Sequence, residues 1–139
     1  MNAASLTLSV TNNVGALGRC TRELSAFLQR HGIGDRAISR ASLVLEELVG
    51  NTIRYGYDDD GPHEISVSVS IDDGDLLLEI RDDASAFDPR SAPAPAPATS
   101  LDDARPGGLG IHLARDASQE LGYQRVDGHN VVSVRIDNA

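Results

Sequence analysis

The sequence predicts an α+β fold: a two-layer sandwich in which a mixed, mostly antiparallel sheet is covered by about three helices. Three observations predict it. Residues 63–71 and 75–82 alternate apolar and polar side chains on either side of an Asp-Gly turn, the pattern of an antiparallel pair with one wet face. Residues 13–31, 36–55 and 107–122 carry apolar side chains at helical spacing. Strands fall at both ends of the chain as well as in its middle, with the helices between them. At 139 residues the chain suits one domain, 1–139, with a single core.

Each element has its own reason. SLTLSV, 5–10, alternates and predicts the first strand. Val14, Leu17, Leu24, Phe27 and Leu28 predict a helix over 13–31, and the two glycines of HGIGD end it. Asp35 is placed to cap the second helix, over 36–55. In HEISVSVSI, Ile65, Val67, Val69 and Ile71 share one face, and Ser66, Ser68 and Ser70 share the other. DDGD then turns the chain into DLLLEIRD, whose Leu76, Leu78 and Ile80 face inward. Residues 88–106, DPRSAPAPAPATSLDDARP, alternate Pro and Ala and predict an extended segment that builds no core. Its length exceeds the ~12–15 residues of most structureless loops, which predicts a functional lid or disorder. GGLGIHLARDASQELG, 107–122, opens a third helix at a glycine turn, and YQRVDGHNVVSVRI closes the chain as a hairpin turning near 127–130.

Composition excludes several function classes. The formal net charge is −9, so phosphate backbones and anionic lipid repel the chain and nucleic acid is not an expected partner. All 12 basic residues are Arg. Without Lys there is no lysine-bearing P-loop, Schiff-base lysine or strand lysine of the eukaryotic kinase type. Cys20 is the single cysteine and sits in a predicted helix, where packing is the expected role. His31, His63, His112 and His129 have no metal-binding spacing, and no G-x-S-x-G marks a serine hydrolase. The N-terminus lacks a basic, then apolar, signal pattern, and no run approaches the ~18 apolar residues of a membrane span. A soluble cytoplasmic domain is expected.

EELVGNTIRYGY, 46–57, carries polar residues that an ordinary core helix does not need. On a helical wheel Ala41, Val44, Leu45, Leu48, Thr52 and Tyr55 form one stripe, and Glu46 falls opposite, in solvent. Glu47, Asn51 and Arg54 fall together on one margin of the stripe. Two readings fit. In one, Glu47 pairs with Arg54 and the amide is merely satisfied. In the other, the Asn51 carbonyl oxygen holds a hard cation such as Mg2+, and Glu47 orients a water or takes a hydroxyl proton.

Two later stretches raise the same choice. Asp82 continues the inward parity of Leu76, Leu78 and Ile80, which is costly for an acid unless it is paired. It ends the strand on turn amides, or it accepts a hydrogen bond from an exocyclic amine such as that of adenine. PGGLGIHL sets glycines at a helix start, where free amides and the dipole favour phosphate; a plain hinge for the lid also fits. Arg105, just before it, can reach a terminal phosphate or stay solvated.

In order, these motifs resemble the GHKL (histidine kinase-like) ATP-binding fold, and within it the bacterial anti-sigma factor serine/threonine kinases. EELVGNTIRYG resembles the family's N-box, RDDASAFDP its first glycine box and GGLGIHLAR its second. The resemblance implies roles by position. Asn51 would ligand Mg2+ at the phosphates of ATP, and Glu47 would be the general base or water-orienting acid. Arg54 would stand near the phosphates. Asp82 would bind the adenine amine, and Phe87 would close the pocket beside the base. Gly108 and Gly110, with the amides of Leu109, Ile111 and His112, would cradle phosphates. Ala84 departs from the family's D-x-G, where Gly allows a close approach to the base or a positive φ. The implied function is phosphorylation of a Ser or Thr on an anti-anti-sigma (STAS-type) protein, together with sequestration of a sigma factor, by a homodimer. The alternative is a nucleotide-binding module that switches partners without kinase activity.

Overall fold

The structure, a computed structural model, describes residues 4–91 and 108–138; the side chains at 108 and 109 fall outside that description. Its elements are β1 (Ser5–Thr11), α1 (Val14–Arg30), α2 (Asp35–Tyr55), β2 (Glu64–Asp72), β3 (Asp75–Asp82), α3 (Gly108–Ala117), β4 (Glu120–Val126) and β5 (His129–Ile136), with a 3-10 turn at Pro89–Ser91. The expected lid is described only at its first residues, in that turn; the rest of it, with Arg105, lies outside the described residues.

The strands form one sheet in the order β1-β2-β3-β5-β4. All four pairings are antiparallel, so the sheet is not mixed. The reason is an insertion. β3 and β4 run in the same direction, as expected for strands joined through a helix, but β5 inserts between them and pairs antiparallel with both. Both hairpins use an Asp-Gly pair. Asp73 (φ 52°) with Gly74 (φ 84°), and Asp127 (φ 50°) with Gly128 (φ 78°), take the left-handed conformations that a two-residue turn matching the sheet twist requires.

The core lies between the inward face of the sheet and the three helices. Ile65, Val67, Val69, Leu76, Leu78, Ile80, Val132, Val134 and Ile136 meet Leu17, Leu24 and Leu28 of α1, Val44, Leu45 and Leu48 of α2, and Ile111 and Ala114 of α3. Cys20 is part of this core, and burial pushes its thiol pKa up to about 11, which leaves it a packing residue at neutral pH. Among the described residues no helix is long and apolar enough to cross a membrane.

Three local expectations change. Asp35 does not cap α2. It is the first helical residue, where its charge favours the N-terminal dipole, and Gly34 is the cap with its N–H held by Asn138 Oδ1 at 3.1 Å. α3 stops at Ala117 rather than near residue 122. Ser118 Oγ turns back onto the Ala114 carbonyl (2.7 Å), and Gln119 N–H joins the sheet at the Arg135 carbonyl (2.7 Å). Tyr55, placed on the buried stripe by the wheel, is 51% exposed at the last turn of α2.

The chain leaves α2 through Gly56, whose φ of −81° suits any residue. Space makes it glycine. A Cβ there would lie 2.7 Å from the Thr52 carbonyl oxygen and 2.9 Å from the Ala84 Cβ. Gly56→Ala is expected to lower Tm by roughly 5–10 °C, because overpacking against backbone has no cheap relief. In a thermal melt, Gly56→Ala combined with Ala84→Gly should recover part of that loss; an additive or neutral result would refute the contact.

Candidate functional site

One pocket of about 300 Å3 brings the N-box helix and the strand-end acid together. α2 contributes Leu48, Asn51, Thr52, Tyr55 and Gly56. β3 contributes Ile80 and Asp82. The following loop adds Ala84, Ser85, Ala86, Phe87 and Pro89, and β5 adds Asn130 and Val132. A wider concavity of about 730 Å3 lies on the open face of the sheet, among Ser5, Thr7, Ser68, Ser70 and Ser133. That face is the wet side of the sheet, has no buried acid or amide, and lies away from every predicted site residue. Of the predicted site residues, Asn51, Asp82, Ala84 and Phe87 line the smaller pocket.

Asn51 is half-buried on the pocket wall, and its carboxamide makes no hydrogen bond among the described residues. The pairing of Glu47 with Arg54 does not form among them either. Arg54 is exposed and folds back over Gly50, its Nη2 3.2 Å from where a Cβ would stand. Glu47 instead turns toward α3. A Cβ on Gly110 would overlap Glu47 Oε2 and stand 2.7 Å from its Cδ. Glycine at 110 therefore makes room for the Glu47 carboxylate, which rests against the first turn of α3, one helical turn along α2 from Asn51. Ile111 is buried in the core, and His112 is half-buried.

At the other end Asp82 is 3% exposed. Burial is the main cause raising its pKa; hydrogen bonds from Asn130 and the Ala84 amide oppose the rise. Ala84 N–H (3.0 Å) and Asn130 Nδ2 (2.9 Å) both donate to Oδ1. Among the described residues nothing donates to Oδ2. Ala84 does not need the positive φ that a glycine would permit, since Asp73 and Asp127 are the non-glycine residues with positive φ among those described. Its methyl packs at Gly56, and Ser85 N–H reaches the Gly56 carbonyl at 3.0 Å. Phe87 is 43% exposed at the pocket mouth, on the same rim as Tyr55.

Asp58, Asp59 and Asp60 of the acidic loop after α2 do not line the pocket. His63 stacks on Tyr57 with ring centroids 4.0 Å apart, and its two nitrogens lie 2.9 Å from Asp59 and 3.5 Å from Asp83. The hydrogen bond with Asp59 raises the His63 pKa and lowers that of Asp59.

Sequence reasoning missed Asn130, Tyr123 and Arg125. Asn130 is 4% exposed and pairs directly across the ladder with Asp82. The signal was available: Asn130 shares parity with Val132, Val134 and Ile136, the same argument that singled out Asp82. Assigning it to the turn hid it. Tyr123 and Arg125 reach Asn130 and the Ala84 carbonyl through space, which no local pattern reveals.

Known proteins resemble this chain in sequence and fold. Residues 10–136 match the histidine kinase-like ATPase domain. The serine/threonine-protein kinase BtrW of Bordetella bronchiseptica is 32% identical over 117 residues, covering 81% of this chain and 82% of BtrW. A crystal structure of the RsbU and RsbW domains of Rv1364c from Mycobacterium tuberculosis superposes with a TM-score of 0.69 at 16% identity, covering 96% of this chain. This chain spans 32% of the length of that one, and the likeness there is one of fold. A match that runs nearly end to end, with BtrW 32% identical along most of its length, places this chain in the histidine kinase-like ATPase family.

Proposed function

We propose that the protein is a Mg·ATP-dependent serine/threonine kinase that phosphorylates an anti-anti-sigma (STAS-type) protein and sequesters a sigma factor. The observation that carries the kinase reading is that one pocket holds Asn51 on one wall and the open side of Asp82 at the other. The Asn51 carbonyl oxygen, without a hydrogen bond among the described residues, would suit a hard cation such as Mg2+. When bound, Mg2+ supplies charge neutralisation at the phosphates. Asp82 Oδ2 accepts a hydrogen bond from the adenine amine, and Phe87 covers the base. The amides of Gly108, Leu109, Gly110, Ile111 and His112 lie in the first half of α3, where free N–H groups and the dipole favour phosphate. Arg54 supplies positive charge near the phosphates, a role that the sequence also offers to Arg105, outside the described residues.

Glu47 takes the proton from the Ser or Thr hydroxyl as that oxygen bonds to the γ-phosphorus and the bond to ADP breaks. The similarity to the serine/threonine-protein kinase BtrW supports the transfer. The sigma and STAS-type partners, a homodimer and a cytoplasmic setting follow from the anti-sigma resemblance of the three boxes.

Incubation with labelled ATP, Mg2+ and a candidate STAS-type antagonist tests the reading. Label on a Ser or Thr of the antagonist is the expected result. Tight nucleotide binding with no transfer would replace the kinase by a nucleotide-holding partner switch.

A further inference from the structure

Asn130 is a buried carboxamide on the otherwise apolar inward face of β5. Such a group is costly unless every hydrogen-bonding direction is used, and here every direction is used. Its Nδ2 donates to Asp82 Oδ1 (2.9 Å) and to the Ser85 carbonyl (2.9 Å), with the Ala84 carbonyl further off at 3.5 Å. Its Oδ1 accepts from Phe87 N–H (3.2 Å) and from Tyr123 Oη (2.6 Å). Two donated and two accepted bonds match a carboxamide: a hydroxyl has one proton to give and a carboxylate none. The partners therefore fix which way the amide points. β4 adds a brace, since Arg125 Nη1 holds the Ala84 carbonyl at 2.9 Å.

With Asn130 and the Ala84 amide both on Oδ1, that oxygen is saturated within the protein, and Oδ2 is the one left for a ligand. We propose that Asn130 is the positioning residue that gives the pocket its preference for a base bearing an exocyclic amine. It turns the Asp82 carboxylate so that Oδ2 is presented, and it ties the loop carrying Phe87 to the same frame. The proposal rests on the nucleotide reading above and deepens it. Base selection depends on the β4–β5 hairpin, outside the three sequence boxes. A 6-amino purine donates to Oδ2; a 6-oxo purine sets an acceptor against it.

The test compares ATP and GTP binding to the full chain and to Asn130→Ala and Asn130→Asp, by titration calorimetry. The wild type should prefer ATP. Asn130→Ala should lose about tenfold in ATP affinity and stay within about twofold for GTP, so the preference collapses. Asn130→Asp sets two carboxylates at hydrogen-bond distance, a pair that shares one proton. Its ATP deficit relative to the wild type should be larger at about pH 8.5 than at about pH 6, where the shared proton restores a donor to Oδ1. Asp83, Arg125, Tyr57 and Tyr123, the other charged or titratable groups facing this pair, are common to all three proteins.

Equal weakening of ATP and GTP by a folded Asn130→Ala would make Asn130 merely structural and overturn the proposal. If Asn130→Ala does not fold, a pH-independent deficit in Asn130→Asp overturns it equally. A wild type that binds both nucleotides without preferring ATP would defeat the role given to Asp82. A wild type that binds neither would defeat the nucleotide reading and this inference with it.

Discussion

Asp82→Asn is expected to lower ATP affinity by about 100-fold or more while leaving the fold as stable as before, or more so, at neutral pH. Two donors, the Ala84 amide and Asn130 Nδ2, already converge on Oδ1. In the variant the amide oxygen must take that place, so its NH2 falls where Oδ2 was. There it meets the exocyclic amine donor to donor, which leaves both groups unpaired in a dry pocket. The stability half follows from the sign of the pKa shift. Burial raises the Asp82 pKa in the folded chain. For an acid with a raised pKa, stability is fully present below the ordinary carboxylate pKa of about 4 and is lost as pH rises through the folded value. At neutral pH the upward shift costs the native chain stability, through a buried charge or through proton uptake, and Asn incurs neither. Calorimetric titration and a thermal melt on one preparation check both halves. Unchanged ATP affinity would remove Asp82 from the site, and a large drop in Tm would mean that binding was lost through the fold.

Glu47 should show the reverse pattern. Glu47→Ala is expected to cut phosphoryl transfer by about 100- to 10,000-fold while ATP affinity changes by less than about threefold. Glu47 lies outside the pocket wall formed by Asn51 and Asp82 and rests against Gly110. Glu47→Gln separates chemistry from packing: it keeps the shape that fits against Gly110 and cannot accept a proton. Transfer by Glu47→Gln should be as poor as by Glu47→Ala, with Tm near that of the wild type. Equal loss of binding and transfer in both variants would contradict the role given to Glu47.

Period-based patterns read well from the sequence because they depend on one element at a time. Strand alternation located β2 and β3 and singled out Asp82, and the helical wheel separated Glu47 from Glu46. The same wheel misjudged Tyr55, which stands half exposed where it lines the pocket rather than the core. Ser118 and Gln119 ended α3 early through a back-bond and a sheet bond, neither of which shows as an apolar period. Contacts between distant segments were out of reach. Gly110 clears space for Glu47, Gly56 clears space for Ala84, and Asn130 pairs with Asp82; each depends on two residues more than 25 positions apart. The glycines were visible, but what each makes room for was not. The choice between a Glu47–Arg54 pair and an open Asn51 likewise needed the rotamers, which send Arg54 over Gly50 and Glu47 toward α3.

One nucleotide is expected to span Asn51 and Asp82. A crystal structure with Mg2+ and a non-hydrolysable ATP analogue tests it most directly. The expected result is the adenine amine on Asp82 Oδ2, the base beside Phe87, and the metal on the Asn51 carbonyl oxygen with the phosphates against the start of α3. A nucleotide bound elsewhere, or in this pocket with its phosphates at Asp82, would contradict it.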